Sequence, residues 1–579
     1  MARLVLGINS AHGDSSAALV GEEGLIAAIA EERINRKKHC GGFPRLAVEE
    51  VLRLAGATAS DLTDIAVARD PRANLVAKLA FVARHPVVNA PRALSRLRIH
   101  RRVASSREVM AEALGVRREL LRARFHAVEH HVAHIASAFY PSPIERATGF
   151  SCDNTGDFAT SMVAACEGTR IDVRRRGLWP HSLGVLYTAI CQYAGFTKFG
   201  EEYKVMGLSA YGVNRFAPEM RRLATYQRDR GIVLDLGYFR HHLITEGLIE
   251  DENGQILVPQ LWGERMLSLL GPPRLPQDPI LDRDRDLAAS LQVRFEEIYL
   301  ALVAGAVAET GIRDVAMAGG SVLNSVGNGR LITERVVDRA YFHPAASDDG
   351  TAAGAALYVS HGIHGARRTV KLGGAYLGTE WRDEEIEKAL VESGLPHQRL
   401  DRAPLLGHAA DAIAQGKIVG WFQGREEWGP RALGNRSILC HPGWPEMKAT
   451  LNARIKNREP FRPFAPAVVS EKLATCFQGT HEVPYMIVVY KVRPEWKERL
   501  SAVTHEDGTG RVQTVRREDN ALFYDLIVDF EKRTGIPVLL NTSFNENEPI
   551  VHTPAQAIDC YARTRMDALG IGSFWLQKA

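Results

Sequence analysis

Short apolar runs alternate with longer amphipathic segments along this chain, and the alternation constrains its fold more than any other feature. The first run, residues 4–8, is followed by a polar turn and two further predicted strands at 17–20 and 25–30. Further along, a helical pattern over 287–310 precedes a strand over 314–318. Runs of four to eight apolar residues favour buried strands, whereas apolar spacings of three and four favour helices. The sequence therefore predicts an α/β fold.

The length of the chain requires more than one hydrophobic core. At 579 residues it exceeds the size at which single cores stop growing, so at least two domains are expected. The alternation breaks at residues 362–368, which are glycine-bearing and basic. We predict a boundary there, with domains over residues 1–366 and 367–579. The second has the length of a typical independent domain.

Charge and cysteine usage argue against several classes of protein. The net charge of +4 is too small to indicate a nucleic-acid groove, and a few anion sites account for it. The seven cysteines are scattered without a C-x-x-C pair, which argues against a disulfide framework or a thiolate zinc site. No apolar stretch reaches the roughly twenty residues of a membrane span. We therefore expect a cytoplasmic protein with neither a membrane nor a nucleic acid as partner.

The spacing of two histidines is typical of a pair of metal ligands. His130 and His134 are four residues apart in a predicted helix over 129–140, so their side chains project from one face. Asp153 and Asp348 follow predicted strands, where α/β folds place functional groups. Two imidazoles with two carboxylates suit Fe²⁺, Mn²⁺ or Zn²⁺. The alternative is two hydrogen-bonded core histidines and two aspartates in turns or helix caps.

Two turns in the first domain are of the kind that binds phosphate. Gly319 and Gly320 follow a predicted strand and let backbone approach a ligand closely, and the helix N-terminus after them favours an anion. The first polar turn, with Asp14 and Ser15, is similar to the turn with which actin-like ATPase folds begin. Each pattern alone is also common in ordinary hairpins and strand–helix turns.

Cationic and amide side chains concentrate in predicted loops of the second domain. Arginine beside proline or glycine is preorganised for bidentate contact with phosphate or carboxylate. A single arginine usually lies on a solvated surface, but several together with Asn and Ser donors indicate a small polyanion. The candidates are Arg431, Lys456, Arg458, Arg462, Arg511, Asn541 and Ser543.

Seven motifs, in order along almost the whole chain, resemble those of the O-carbamoyltransferases of antibiotic and nodulation-factor biosynthesis. They are HHVAHIASAFY, GEEYKVMGLSAYG, AGGSVLNSVGNGRL, REEWGPRALGNRSIL, FRPFAPAV, DGTGRVQTV and NTSFNENEPIV. The resemblance implies an N-terminal actin-like ATPase (ASKHA) domain, similar to that of the threonylcarbamoyl-transfer proteins, followed by a YrdC-like α/β domain. The second domain would make carbamoyl adenylate from carbamoyl phosphate and ATP, with Mg²⁺ on the ATP. The first would transfer the carbamoyl group to a hydroxyl of a small-molecule acceptor.

The resemblance also implies roles for individual residues. His130, His134, Asp153 and Asp348 would bind the metal, with Fe²⁺ the expected ion. The implied nucleotide and adenylate contacts are Lys38, Gly319, Gly320, Ser321, Asn324, Arg431, Lys456, Arg462, Arg511, Asn541 and Ser543. The implied catalytic residues are His12, Asp14, Arg431, Lys456 and Arg462.

The chain departs from the family pattern in its first turn. Many relatives have adjacent His and Asp there, whereas here Gly13 separates His12 from Asp14, which leaves the base and the acceptor open. Two alternative functions share these folds: a tRNA threonylcarbamoyl-type enzyme, which would need a basic face for tRNA, and a non-catalytic nucleotide-binding regulator, which should have lost its pocket cations. A monomer or homodimer is expected.

Overall fold

The computed structural model describes residues 3–10, 13–84, 110–112, 115–117, 119, 121–244, 249–250, 256–368 and 374–578. The chain divides into two compact units, Met1–Lys371 and Leu372–Ala579. This division falls shortly after the boundary placed at 366 from the sequence. Helical turns continue through Tyr358–Ile363, into the segment where the sequence pattern suggested a break.

The first unit begins with a five-stranded sheet, whose strands are β1 (Val5–Asn9), β2 (Ser16–Gly21), β3 (Gly24–Ala30), β4 (Asp64–Val67) and β5 (Arg124–Ala127). Their order is β3-β2-β1-β4-β5. The first three form an antiparallel meander, and β4 and β5 run parallel to β1. Alternate side chains of β1 enter two core clusters, with Val5 in one and Leu6 and Ile8 in the other, so both faces of this strand are buried.

A second five-stranded sheet in this unit repeats the topology of the first. Its strands are β6 (Arg146–Gly156), β7 (Ala159–Glu167), β8 (Arg170–Leu178), β13 (Asp314–Ala318) and β14 (Arg339–Phe342), in the order β14-β13-β6-β7-β8. Between β8 and β13 the chain forms two short ribbons, one of β9 (Ala224–Gln227) with β10 (Gly231–Leu234) and one of β11 (Ile249–Glu250) with β12 (Ile256–Leu257). Again a three-stranded meander is extended by two parallel strands. The duplicated topology agrees with the predicted actin-like ATPase fold.

The described helices of the first unit are α1 (Glu31–Asn35), α2 (Arg45–Leu54), α3 (Leu75–Arg84), α4 (His130–Phe139), α5 (Leu183–Tyr193), α6 (Glu202–Leu208), α7 (Ala217–Leu223), α8 (Arg265–Leu270), α9 (Asp282–Thr310), α10 (Ser325–Thr333) and α11 (Asp349–Leu357). The basic sequence of residues 75–107, which lacks clean periodicity, predicts a helical insertion. Helix α3 covers its start, and residues 85–107 lie outside the described part. Among the helices described, none combines the length and apolar character needed to cross a bilayer.

Helix α11 packs unusually closely because its sequence is rich in glycine and alanine. A Cβ on Gly354 would lie 1.8 Å from the carbonyl oxygen of Ala133 in α4, and one on Gly7 in β1 would lie 1.9 Å from that of Ala352. Backbone therefore meets backbone on both sides of this helix. The contact holds the start of α11 beside the start of α4. Asp348, which precedes α11, is thereby held near His130 and His134 of α4.

The second unit is built on one nine-stranded mixed sheet. Its strands are β15 (Gln398–Arg399), β16 (Val419–Phe422), β17 (Arg436–Cys440), β18 (Ala465–Val469), β19 (Val488–Lys491), β20 (Thr509–Val515), β21 (Val538–Ser543), β22 (Ala568–Ile571) and β23 (Phe574–Gln577). They lie in the order β15-β23-β22-β16-β17-β21-β18-β20-β19. Its helices are α12 (Asp383–Ser393), α13 (Arg402–Ala414), α14 (Met447–Leu451), α15 (Leu473–Cys476), α16 (Ala521–Thr534) and α17 (Pro554–Arg563). Both units are thus α/β, as predicted.

Several candidate residues lie within strands rather than in the loops expected from the sequence. β6 continues through a bulge between Cys152 and Gly156, so Asp153 is inside it rather than after it. Arg511 lies in β20, because pairing with β18 and β19 holds the glycine-bearing segment extended. The apolar run at 538–540 predicts a strand that ends at residue 540. Asn541 and Ser543 also belong to this strand, β21, because it continues to pair with β17.

Candidate functional site

Four side chains of the first unit converge on one buried point. His130 and His134, one turn apart on α4, have their Nε2 atoms 3.0 Å apart. The Oδ2 atom of Asp153 lies 3.4 Å from Nε2 of His130 and 3.2 Å from Nε2 of His134, and Oδ1 of Asp348 lies 3.4 Å from both. The four ligand atoms lie within 4.8 Å of one another. The structure thus brings together all four residues predicted to bind metal.

Backbone groups orient one of the two carboxylates. Oδ1 of Asp153 accepts hydrogen bonds from the backbone N–H of Asn154 (2.7 Å) and of Gly320 (3.2 Å), which leaves Oδ2 facing the histidines. A Cβ on Gly320 would lie 2.8 Å from this carboxylate, and one on Gly156 would lie 2.0 Å from Cδ2 of His130. These two positions therefore require glycine for steric reasons.

The donor set fits a divalent transition metal. Separations of 3.0–3.4 Å are those of neighbouring ligands around one ion bound at about 2.0–2.2 Å. Burial disfavours a charged imidazole at His130, but Asp348 and Asp153 outweigh it and raise its pKa to about 10. The adjacent His131 hydrogen-bonds Ser151, and its burial beside two other histidines lowers its pKa to about 3. Positive charge is thus favoured only where the carboxylates converge.

The glycine turn predicted to contact nucleotide adjoins this cluster. Gly319, with φ +104°, begins a short 3₁₀ turn that follows β13 and contains Ser321. The amide of Asn324 caps α10 and exchanges two hydrogen bonds of 3.0 Å with Gln292. Asn324 therefore holds the turn and α10 in place through its side chain.

The first polar turn contains an Asp–His pair that the sequence did not suggest. Oδ1 of Asp14 lies 2.7 Å from Nδ1 of His39, and the carboxylate of Glu32 accepts a 2.9 Å bond from the His39 backbone. Burial opposes charge on His39, but Asp14 and Glu32 outweigh it and raise its pKa to about 9. Lys38 precedes this histidine and is half-buried. His12 lies outside the described residues.

Four arginines gather in the second unit. Burial, and after it the charges of Arg431, Arg458 and Arg462, hold the pKa of Arg511 well below its usual range. Within the described part of the chain, the buried Nε of Arg511 has no hydrogen-bond partner. Cations so close repel one another, and a bound anion would relieve the repulsion. We call Arg431, Arg458, Arg462 and Arg511 the arginine cluster.

Amide and hydroxyl groups extend the same face of the sheet. Gln513, two residues from Arg511 on β20, accepts a 2.8 Å bond from Nδ2 of Asn541 on β21. The two amides meet across β18, whose facing residues Ala465 and Ala467 are small. The buried Oδ1 of Asn541 has no hydrogen-bond partner among the residues described. A polar surface therefore continues from the arginine cluster towards the end of β21.

Lys456 makes different contacts from those expected of a phosphate ligand. Its Nζ donates to the carbonyl oxygens of Ser543 and Asn545, both at 2.6 Å, and to Oδ1 of Asn545 at 2.7 Å. It is 2% exposed. In this structure the ammonium group therefore organises the turn that follows β21.

Comparison with known proteins identifies the family to which these two sites belong. Residues 4–357 match the family described as carbamoyltransferase N-terminus, and residues 410–578 match carbamoyltransferase C-terminus. The chain belongs to the carbamoyltransferase family. The first match contains His130, His134, Asp153 and Asp348, which we call the metal cluster, and the second contains the whole arginine cluster. The resemblance inferred from the motifs is confirmed, and the alternative of a non-catalytic regulator is not supported for this carbamoyltransferase.

Relatives of the carbamoyltransferase cover most of its length. Nodulation protein NolNO of Sinorhizobium fredii is 35% identical over 98% of this chain and 79% of its own. Nodulation protein NolO of Bradyrhizobium diazoefficiens is 37% identical over 78% of this chain and 79% of its own. Among solved structures, HypF of T. kodakarensis matches 63% of this chain and 48% of its own at 14% identity, with a TM-score of 0.29.

Three features of the carbamoyltransferase were missed or underweighted in the sequence. His39 stands in the basic run RKKH, where its pairing with Asp14 across the turn leaves no local signal. The resemblance implies no role for Arg458, yet its charge acts on Arg511. Burial lowers the pKa of His505 to about 4; the charge of Asp507 opposes this shift, and the charges of Arg511 and Lys448 add to it. The imidazole is therefore neutral near the arginine cluster.

Proposed function

We propose that this carbamoyltransferase is an ATP-dependent O-carbamoyltransferase that works in two half-reactions. The second unit, a YrdC-like domain in this proposal, forms carbamoyl adenylate from carbamoyl phosphate and Mg²⁺-ATP. The first unit transfers the carbamoyl group to a hydroxyl of a small-molecule acceptor. The observation that carries the proposal is the buried Nε of Arg511, which has no hydrogen-bond partner among the described residues and lies within a cluster of four arginines.

The arginine cluster suits the first half-reaction because both reactants are polyanions. Arg431 and Arg462 would bind phosphate groups in bidentate fashion, and Arg511 would face the charge that develops during phosphoryl transfer. Asn541 offers an acceptor oxygen and lies on the same face. Lys456 would act here by holding Ser543 in position, as its contacts suggest.

The chemistry of this half-reaction balances with water as co-reactant. Water releases phosphate from carbamoyl phosphate and leaves carbamate. A carbamate oxygen attacks the α-phosphorus of ATP, the bond from that phosphorus to the bridging oxygen breaks, and pyrophosphate leaves. The product is carbamoyl adenylate, whose AMP is a better leaving group than free phosphate.

The first unit supplies a site for the second half-reaction. His130, His134, Asp153 and Asp348 would hold a divalent ion, Fe²⁺ in our proposal, with Mn²⁺ or Zn²⁺ as alternatives. Such an ion supplies Lewis acidity and neutralises charge on a leaving phosphate. Gly319, Gly320, Ser321 and Lys38 lie in segments suited to hold the nucleotide part of the adenylate.

The first polar turn is the proposed place of the acceptor hydroxyl. Transfer breaks the bond between the carbamoyl carbon and AMP, forms a bond to the acceptor oxygen, and releases the hydroxyl proton. Asp14 and His12 are the proposed catalytic residues in this turn. Asp14 contacts His39 at 2.7 Å, so this pair can hold or pass on a proton near the acceptor.

The direct test is product analysis with the full chain. ATP, carbamoyl phosphate and a panel of hydroxylated metabolites should yield AMP, pyrophosphate and an acceptor heavier by one carbamoyl group. Omission of carbamoyl phosphate should abolish all three products. If instead unmodified tRNA becomes modified and no small molecule does, the threonylcarbamoyl alternative is correct.

A further inference from the structure

A second group of metal-binding side chains lies apart from the four residues of the first cluster. Asp64 begins β4, His126 lies in the neighbouring strand β5, and His364 follows the helical turns at the end of Tyr358–Ile363. The three residues come from different elements, and Asp64 and His364 are 300 positions apart. Their potential ligand atoms lie within 4.8 Å of one another.

Both imidazoles point at the same carboxylate oxygen. Nε2 of His126 is 2.7 Å from Oδ1 of Asp64, and Nε2 of His364 is 3.1 Å from that atom. The two rings are nearly perpendicular, at 84°, with centroids 5.9 Å apart. The other carboxylate oxygen accepts a 2.9 Å bond from the hydroxyl of Thr63, which fixes the plane of the carboxylate.

The burial of the group resembles that of a metal site with one open position. The Asp64 side chain is 3% exposed, whereas the side chains of His126 and His364 are 17% and 13% exposed. An ion could therefore enter from solvent and keep water as a fourth ligand. The carboxylate beneath it would remain shielded from water.

We infer that Asp64, His126 and His364 form a second binding site for a divalent ion that favours imidazole, such as Zn²⁺. Two imidazole nitrogens and one carboxylate oxygen are the donor types that this class of ion prefers. Of the present separations, 3.1 Å already suits neighbouring ligands of an ion bound at about 2.0–2.2 Å, and the 2.7 Å contact must widen by about half an ångström. Each neutral ring would carry its proton on Nδ1, so that Nε2 can coordinate.

The position of the site suggests a structural role. The ion would join β4 and β5 of the first sheet to the last described turns of the first unit. A cross-link between such distant positions is gained only in the folded chain, so the ion should stabilise the fold. None of the three residues belongs to the group of His130, His134, Asp153 and Asp348, and occupancy of this site can be measured without an activity assay.

The test uses the full chain, freed of metal with a chelator and titrated with Zn²⁺ alone. His364→Gln and His126→Gln keep a hydrogen-bond donor towards Asp64 but remove the imidazole ligand. Each should bind one Zn²⁺ fewer per chain than the parent, or bind it at least about tenfold more weakly. Zn²⁺ should also raise the Tm of these variants less than that of the parent.

Two further variants make the result specific. His364→Cys restores a zinc ligand and should recover the lost stoichiometry, whereas His397→Ala, at an exposed histidine of the second unit, should behave as the parent. Equal zinc content and equal Tm shifts in the parent and in folded His364→Gln would overturn the inference and leave a hydrogen-bonded triad only. The parent and His364→Gln both keep the metal cluster of His130, His134, Asp153 and Asp348. Failure of the proposed transfer reaction would therefore not affect this outcome.

Discussion

His130 and His134 meet two aspartates at a buried point where charge is costly unless it is shared. Orientation of Asp153 by the Gly320 N–H, and the steric need for glycine at 156, both serve this convergence. At the scale of residues, the first unit therefore brings together donors suited to a cation, and the second brings together cationic side chains suited to an anion. In the second of these groups the side chains repel one another unless a ligand of opposite charge is bound.

The first prediction concerns the metal cluster. His134→Ala removes one of four donors, so the affinity for Fe²⁺ or Zn²⁺ should fall at least about tenfold, as measured by metal analysis after equilibrium dialysis. The control is His131→Gln, on the same helix but directed at Ser151. Full occupancy in His134→Ala at the parent's affinity would refute the assignment.

The second prediction concerns the pair of Asp14 and His39. The folded pKa of His39, about 9, is above the ordinary value near 6.5, so its stabilisation is complete below pH 6.5 and is lost as pH rises through 9. About a third of the His39 side chain is exposed, so screening should limit the effect to about 1–2 kcal/mol.

Asp14→Asn should remove most of this pH dependence between 6.5 and 9, because Asp14 contributes more to the raised pKa of His39 than Glu32 does. Urea unfolding of parent and variant at a series of pH values measures it. A difference between the two that stays constant over this range would mean that the Asp14 carboxylate does not raise the pKa of His39.

At the scale of elements, strands with a clear apolar run were predictable and strands that carry the site were not. The apolar runs at 314–318 and 465–469 predict strands with the observed ends, because apolar character and boundaries coincide there. The segment around Arg511 reads as a loop because of its glycines, yet pairing on both sides makes it a strand. Charged residues inside strands result from tertiary pairing, which a local pattern does not contain.

The close contact of α11 with α4 supports the third prediction. Gly354→Ala would place a methyl group 1.8 Å from the Ala133 carbonyl, so the helices must separate. The free energy of unfolding should fall by at least about 2 kcal/mol, and metal affinity should fall with it because Asp348 moves away from the histidines.

The matched control is Gly407→Ala in α13, where the new Cβ would meet only Arg533, at 3.7 Å. That change should stabilise the chain by about 0.5–1 kcal/mol, since alanine favours helix over glycine. Thermal and urea unfolding compare the two variants. Equal effects in both would show that the close helix contact is not needed.

At the scale of the whole molecule, the chain combines a unit with two sheets of the same topology and a unit with one large mixed sheet. The existence of two units and their α/β class could be predicted from length and alternation. The nine-stranded order could not, because strands from across the second unit interleave in it and only long-range pairing determines their neighbours.

The fourth prediction follows from the closure of this sheet within one unit. All nine strands lie between residues 398 and 577, so a fragment starting near Val370 should fold alone and unfold cooperatively in urea. Circular dichroism and urea unfolding measure this. A fragment that is insoluble or unfolds without cooperativity, while the whole chain is well behaved, would contradict it.

The division of labour between the two units is the central claim, and separation of the half-reactions tests it most directly. The measurement is carbamoyl-phosphate-dependent release of pyrophosphate from ATP by Arg462→Ala, Arg511→Gln and His134→Ala, with Arg517→Ala as a surface control. The two cluster variants should lose this activity roughly thirty- to thousand-fold, about 2–4 kcal/mol, because each loses a charged contact to phosphate. His134→Ala should retain pyrophosphate release while failing to carbamoylate an acceptor. Equal loss of pyrophosphate release in His134→Ala and the arginine variants would contradict the account.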